Sequence, residues 1–92
     1  MIYGMGVALT EQITVLDGEI QELNFYDYRV MRMSDMPEIH VQVLSTDNKP
    51  TGAGQMATPL VAPAISNAAA DLLGVRLNHT PMLPERVLAT LK

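Results

Sequence analysis

The segment TGAGQMATPLVAPAISNAAADLLG, from Thr51 to Gly74, constrains the fold more than any other part of this sequence. It begins with a glycine-rich loop and continues as an apolar, alanine-rich run that starts with a proline. Thr58 is a candidate N-cap, the proline after it is tolerated in a first helical turn, and Gly74 fits the position just beyond a helix. Because its apolar stripe is mostly alanine, the helix that begins at Thr58 is predicted to lie close to a sheet.

The first part of the chain predicts a helix followed by a β-hairpin. Residues 1–11 are apolar at helical spacing and contain two glycines. Each glycine costs about 1 kcal/mol in a helix interior, so we expect a neighbour to pack on the glycine face. Residues 12–25 alternate between polar and apolar side chains around Asp17-Gly18, a pair typical of a two-residue hairpin turn with positive φ at both positions.

Further strands and a last helix complete the predicted elements. Residues 38–45, EIHVQVLS, alternate in the manner of a strand, and residues 46–54 have the composition of a loop. Residues 75–77 are interpreted as a short strand, and residues 84–91 as a helix that begins with a proline. The order predicts an α+β fold in which residues 1–92 form a single domain with a small, mostly antiparallel sheet and helices packed on one face.

The composition excludes several classes of protein. A net charge of −4 and scattered lysines and arginines argue against nucleic-acid binding. No apolar run reaches the ~20 residues that cross a bilayer, so no membrane partner is expected. The N-terminus lacks the basic region and cleavage site of a signal peptide, which leaves the cytoplasm as the default location. Without cysteines the chain has no disulfides, thiolate metal sites or thiol nucleophiles.

Taken singly, the polar residues support no enzyme class. The glycine loop ahead of a helix is a weak anion-binding signal, because it lacks the Lys-Ser/Thr of a P-loop and the third glycine of a dinucleotide fingerprint. A structural loop is the favoured interpretation. His40 and His79 lack the spacing of a zinc site, so no metal ligand is predicted. Asp27, between two tyrosines, either lines a polar pocket or, more commonly, bonds its own turn.

An ordered series of short motifs resembles one known family. The series consists of Asn24-Phe25-Tyr26-Asp27-Tyr28, Arg32-Met33, Met36-Pro37-Glu38-Ile39, Gly52-Ala53-Gly54-Gln55, Thr58-Pro59 and Ala62-Pro63-Ala64-Ile65-Ser66-Asn67-Ala68. It is similar to the C-terminal part of the molybdenum-cofactor-binding large subunit of the xanthine dehydrogenase family, in the branch of isoquinoline 1-oxidoreductase beta-subunits and aldehyde dehydrogenases. The resemblance implies a hydroxylase of N-heterocycles or aldehydes that uses a molybdenum-pterin cofactor and water as the oxygen source.

The resemblance assigns roles to Gly52, Ala53, Gly54 and Gln55, which it implies are cofactor-binding. In the family motif the glycines bring the backbone close to the cofactor, and a glutamate follows as the catalytic general base. Gln55 stands at the position of that glutamate. An amide is nearly isosteric with a carboxylate but cannot accept the proton, so Gln55 is expected to be an inactive catalytic position.

Two functions from different classes follow as expectations. The first is a fragment or split-off terminal domain of a molybdenum hydroxylase, inactive alone and binding no cofactor by itself, whose partner is the remainder of the large subunit. The alternative is a free-standing interaction module that self-associates through an apolar face, which the 48% content of hydrophobic residues motivates.

Overall fold

The structure, a computed structural model, describes residues 1–92 and contains three α-helices and one two-stranded antiparallel sheet. In chain order the elements are α1 (Ile2–Leu9), β1 (Val15–Leu16), β2 (Glu19–Ile20), a 3-10 turn (Met33–Asp35), α2 (Thr58–Leu73) and α3 (Pro84–Leu91). The predicted α+β class is confirmed. The extensive contacts join α1 to α2 and β1 to β2, so α2 packs on α1 rather than on the sheet that its alanine stripe predicts.

The hairpin forms around the predicted turn. Asp17 and Gly18 have φ angles of 51° and 82°, the positive values that a two-residue turn of this type requires. Val15 pairs with Ile20 across the sheet, and the ladder is only two residues long on each strand. The hairpin predicted over residues 12–25 is therefore longer than the observed one. No third strand lies beside it to stabilise a longer ladder.

Gly4 of α1 packs on α2, whereas Gly6 faces Glu11 and Met31, so the two glycines do not share one packed face as the sequence predicts. Gly4, Gly6 and Ala8 are the buried residues of α1. A Cβ added to Gly4 would lie 2.8 Å from the carbonyl oxygen of Thr58 and 2.9 Å from Cγ2 of Val61. The absence of a side chain at Gly4 thus sets how closely the two helices approach each other.

The ends of α2 follow the sequence signals with one exception. Pro59 lies in the first turn, and Gly74, with φ of 71°, ends the helix in the left-handed conformation that glycine favours. The prediction that Thr58 is the N-cap is wrong. Ala57 occupies that position with helical φ and ψ of −85° and −20°, and no side chain caps the first turn.

Two predicted strands do not form. Residues 38–45 and residues 75–77 have no regular secondary structure. A strand requires a neighbour that pairs with its backbone N–H and C=O groups. The only paired strands of this chain are the two of the hairpin, so neither segment has such a neighbour within the described residues.

The C-terminal part of the chain is tied to α1 by its backbone. The Met82 N–H donates to the carbonyl oxygen of Ala8 at 2.7 Å, and Met82 is one of the few buried apolar residues. The Arg86 guanidinium, on α3, donates to the carbonyls of Thr80 and Pro81, each at 3.1 Å. None of the helices combines the length and the hydropathy that a membrane crossing requires.

A polar turn follows the hairpin. The Asp27 carboxylate accepts hydrogen bonds from the backbone N–H groups of Asn24 at 2.9 Å and Leu23 at 3.2 Å. These bonds lower the pKa of Asp27, that from Asn24 most. Asp27 therefore bonds its own turn, as the more common of the two sequence interpretations states. The Tyr28 hydroxyl donates to the Glu11 carboxylate at 2.7 Å and so holds this turn against the end of α1, which raises the pKa of Tyr28.

Much of the apolar surface of the chain faces solvent. Only 5 of 92 residues are buried, and the radius of gyration is 16.4 Å, against about 12 Å for a compact domain of this length. The accessible surface is 7816 Å², roughly 2,500 Å² more than the ~5,300 Å² expected for a folded monomer of 10.1 kDa. The chain thus leaves a large surface that its own residues do not cover.

Gly4→Ala is expected to weaken the contact between α1 and α2. Alanine gains up to about 1 kcal/mol over glycine in a helix, but the added Cβ overlaps the backbone of Thr58, and overpacking costs about 1–3 kcal/mol. Far-UV circular dichroism of the purified chain should show less helix and a lower midpoint of thermal unfolding. Val7→Ala, at an exposed position of the same helix, is the control and should change little. A higher midpoint for Gly4→Ala would contradict this packing.

The polar turn is expected to open in acid. Asp27 and Glu22 have lowered pKa values, Glu22 because Thr14 donates its backbone N–H and its hydroxyl to that carboxylate. A group with a lowered folded-state pKa stabilises the fold above its unfolded pKa, near 4, and loses that contribution as the pH falls through the folded value. Amide chemical shifts of Leu23 and Asn24 should titrate with a midpoint below that of free aspartate.

The control for this titration is Asp27→Asn, which keeps an acceptor oxygen but cannot titrate. The acid transition at Leu23 and Asn24 should disappear in that variant, while the transition at Thr14 remains because Glu22 causes it. A midpoint for Leu23 and Asn24 above the value of free aspartate would contradict the hydrogen bonds described here.

Candidate functional site

The glycine loop lies directly ahead of α2 and faces solvent. Gly52, Ala53, Gly54 and Gln55 are all exposed. Neither glycine has a positive φ, and a Cβ built on either one would meet no atom within 4 Å. Within this chain, neither backbone conformation nor packing therefore requires glycine at these two positions.

Gln55 is placed where the loop meets the helix. Its backbone carbonyl accepts a hydrogen bond from the Thr58 N–H at 3.3 Å, which fixes its main chain relative to the first turn of α2. Its side chain makes no hydrogen bond with the protein and remains in solvent. The backbone of Gln55 is thus fixed, while its side-chain amide is free to bind a ligand.

A cavity of about 670 Å³ contains the end of this loop. It is lined by Tyr3, Gly54, Gln55, Thr58 and Pro59. No carboxylate, histidine or cation is among these residues, so the cavity is electrically neutral near pH 7. Its polar groups are the Gln55 amide, two hydroxyls and backbone atoms, which can orient a polar ligand by hydrogen bonds.

Tyr3 is the site residue that sequence reasoning missed. It is 85% exposed and precedes Gly4, the residue at which α1 approaches α2. The close approach at Gly4 brings Tyr3 beside the start of α2 and therefore beside Gln55. The glycines of α1 indicated that another element packs on this helix. The sequence did not show that this element is the N-terminal end of α2.

The first turn of α2 gives little support to an anion site. Pro59 has no N–H, and the N–H groups of Thr58 and Leu60 already donate to the carbonyls of Gln55 and Ala57. An anion at a helix N-terminus needs unpaired donors that point at it. The anion-binding interpretation of the loop therefore lacks the free donors that it requires in the first turn of α2.

The two histidines lie in different surroundings. His40 is exposed and lies 2.9 Å from an oxygen of Glu38, which is also exposed. His79 is exposed and lines a cavity of about 540 Å³ together with Arg86 of α3. The structure contains no group of three or more histidine, aspartate or glutamate side chains placed to hold a metal ion.

The chain is similar to segments of much longer proteins, although no protein-family model matches it. It is 40% identical over 84 residues to isoquinoline 1-oxidoreductase subunit beta of Brevundimonas diminuta, a match that covers 91% of the chain and 11% of that protein. It is 35% identical over 91 residues to the membrane-bound aldehyde dehydrogenase (pyrroloquinoline-quinone) of Gluconacetobacter polyoxogenes, which covers 99% of the chain and 12% of that protein.

A third relative names the metal. The chain is 30% identical over 92 residues to the xanthine dehydrogenase molybdenum-binding subunit of Escherichia coli O157:H7, a match that covers 91% of the chain and 12% of that protein. The chain therefore spans only 11–12% of the length of these relatives. The similarity extends over most of the chain in all three, so the chain belongs to the family of molybdenum hydroxylase large subunits and matches one segment of them.

Proposed function

We propose that this chain forms one wall of the molybdenum-pterin site in the large subunit of a hydroxylase. In this proposal it is the C-terminal part of a molybdopterin-binding domain and has no activity without the remainder of that subunit. The observation that carries the proposal is the loop Gly52–Gln55, which has the two glycines of the family motif, with Gln55 in place of its glutamate, and projects uncovered from the start of α2.

The glycines of the loop support the approach of a bulky group from outside the chain. Gly52 and Gly54 have ordinary φ angles, and open space surrounds them. Glycine costs conformational entropy on folding compared with alanine, so two glycines in one short loop call for a compensating role. A cofactor packed against the backbone supplies that role, because any side chain would occupy the space it needs.

The residues present fit one side of such a site. A ligand pocket usually buries roughly 70–90% of the surface of its ligand. The five residues that line this cavity are too few to surround a group of pterin size. The remaining walls must come from other segments of the subunit, which agrees with the small share of the relatives that this chain spans. When bound, the molybdenum-pterin group supplies the redox centre for hydroxylation with water as the oxygen source.

Gln55 defines what this wall can and cannot do. Its amide donates and accepts hydrogen bonds, so it can hold a polar ligand in a fixed orientation. It does not take up a proton in the working pH range of an enzyme, and no carboxylate or histidine lines the same cavity to replace it. The wall therefore orients its ligand but lacks the general base of the family motif.

The substrate class is proposed as an N-heterocycle or an aldehyde. The names of the three relatives include isoquinoline, aldehyde and xanthine. These substrates differ in size and polarity, whereas the relatives share similarity to the same short segment. The segment is thus proposed to serve the common step of the reaction, and other parts of the subunit to select the substrate.

The decisive variant is Gln55→Glu in an assembled enzyme. The matched segment of the Brevundimonas diminuta subunit is replaced by this sequence, and the oxidation of isoquinoline is measured. With Gln55 in place we expect kcat to be about 10²–10⁴ lower than that of the unmodified enzyme, which is the usual contribution of a positioned base. Gln55→Glu should recover most of this loss.

The control in the same hybrid is Gln21→Glu, an equal change of charge at an exposed glutamine of the hairpin. It should leave kcat at the low value of the parent hybrid. If Gln55→Glu recovers no more activity than Gln21→Glu while the molybdenum content is normal, position 55 does not act as the base and the proposed role is wrong.

Gly54→Val tests the glycine loop separately from proton transfer. In the isolated chain the new side chain meets open space, so helix content and thermal midpoint should match those of the parent. In the hybrid enzyme we expect the molybdenum content of the purified protein to fall several-fold, because the side chain intrudes on the cofactor. Asn48→Val, in the preceding part of the loop, should lower neither the thermal midpoint of the isolated chain nor the molybdenum content of the hybrid. Full molybdenum content in the Gly54→Val hybrid would count against this placement of the loop.

A further inference from the structure

Residues 37–54 form the longest stretch of the chain without backbone pairing. None of the 37 backbone hydrogen bonds of the protein involves this segment, and no side chain bonds to its backbone. Residues 38–54 are all exposed. Their N–H and C=O groups are therefore solvated by water and remain available to a partner.

The first half of this segment has the pattern of a buried strand. Ile39, Val41 and Val43 alternate with His40 and Gln42. Val41 is 80% exposed and Val43 is 88% exposed in this chain, although β-branched residues at alternate positions are typical of a strand that faces a core. Sequence and structure thus disagree over residues 38–45 in a way that a missing neighbour explains.

We propose that residues 38–45 form a β-strand by pairing with an exposed sheet edge of the remainder of the large subunit. The inference rests on the proposed function, because it takes that remainder as the partner. Pairing would satisfy the free backbone groups, and the apolar face of Ile39, Val41 and Val43 would be covered by the core beneath the partner's sheet.

A second copy of this chain is a poorer partner. It would contribute one more strand, and a two-stranded ribbon is only marginally stable in water and leaves its apolar face exposed. An existing sheet of a larger chain supplies both the edge and the core. The surface in excess of that of a compact monomer, roughly 2,500 Å², is of the size buried in obligate assemblies. Relatives about eight times longer than this chain have the residues to cover it.

The strand would also fix the proposed cofactor loop. Residues 46–54 connect it to α2, so the loop would be held by a sheet at one end and by a packed helix at the other. In the isolated chain only the α2 end is held, through the Gln55–Thr58 hydrogen bond. Pairing of residues 38–45 therefore acts on the placement of Gly52 and Gly54.

Hydrogen exchange of backbone amides tests the proposal. The full sequence replaces the matched segment of the Brevundimonas diminuta subunit, and exchange in residues 38–45 is compared with that in the free 92-residue chain. We expect free exchange in the isolated chain and at least ~100-fold slower exchange in the hybrid, as for a paired strand. Equal, fast exchange in both would overturn the proposal.

Proline variants of the hybrid separate pairing from general effects on folding. Successive N–H groups of a strand point to opposite sides, so one of the two variants Val41→Pro and Gln42→Pro removes a ladder N–H and should abolish the protection of residues 38–45. Lys49→Pro, in the loop, should leave that protection intact. Protection that survives in both Val41→Pro and Gln42→Pro would overturn the proposal. So would slow exchange in the isolated chain that appears together with a dimer in sedimentation, because a second copy would then be the partner.

Molybdenum content distinguishes this inference from the proposed function. A hybrid with normal molybdenum but unprotected residues 38–45 overturns the strand and leaves the cofactor wall standing. If residues 38–45 are protected in the hybrid but its molybdenum content stays normal in the Gly54→Val variant, the strand is supported and the placement of the loop at the cofactor is wrong. If the hybrid does not fold, exchange in the aligned peptide of the unmodified subunit decides: protection supports the strand, and free exchange overturns it.

Discussion

The close approach of α1 to α2 at Gly4 is the contact on which the rest of the structure depends. It is the one extensive contact between helices, and it places backbone against backbone where Gly4 faces Thr58. The carbonyl of Ala8, farther along α1, accepts the Met82 N–H and so attaches the C-terminal part to the same helix. The same approach sets Tyr3 beside Gln55, so the contact that holds the helices together also forms the candidate site.

The chain stabilises this contact with very little buried surface. Few residues are buried, and large side chains such as Leu60, Leu72 and Val43 remain in water. A domain of this size normally relies on a continuous apolar core, because its surface-to-volume ratio leaves little other stabilisation. The apolar residues are present in sufficient number, but they face outward. This arrangement is the one expected under the proposed function, in which other residues of a large subunit complete the core.

Sequence patterns predicted the local elements well and the long-range ones poorly. The Asp17-Gly18 turn and the glycine that ends α2 depend on φ preferences of single residues, so both were predictable and both are confirmed. The strand at 38–45 depends on a neighbour that the chain does not contain, and no local pattern can supply one. Thr58 failed as an N-cap because the preceding residue already has helical angles. The motif series identified the family, since order and spacing carry information that single residues lack.

Gln55 separates the shape of the site from its chemistry. The side chain of glutamine fills nearly the same volume as that of glutamate, and at an exposed position with no hydrogen bond to the protein the exchange changes no packing. The features that place position 55, namely the carbonyl bond to Thr58 and the Gly4 contact between the helices, involve the backbone and are independent of its side chain. Selection on stability therefore does not distinguish the two residues. Only a function that requires proton transfer at this position would retain the carboxylate, which is why the proposed function gives Gln55 a part in orienting the ligand and none in proton transfer.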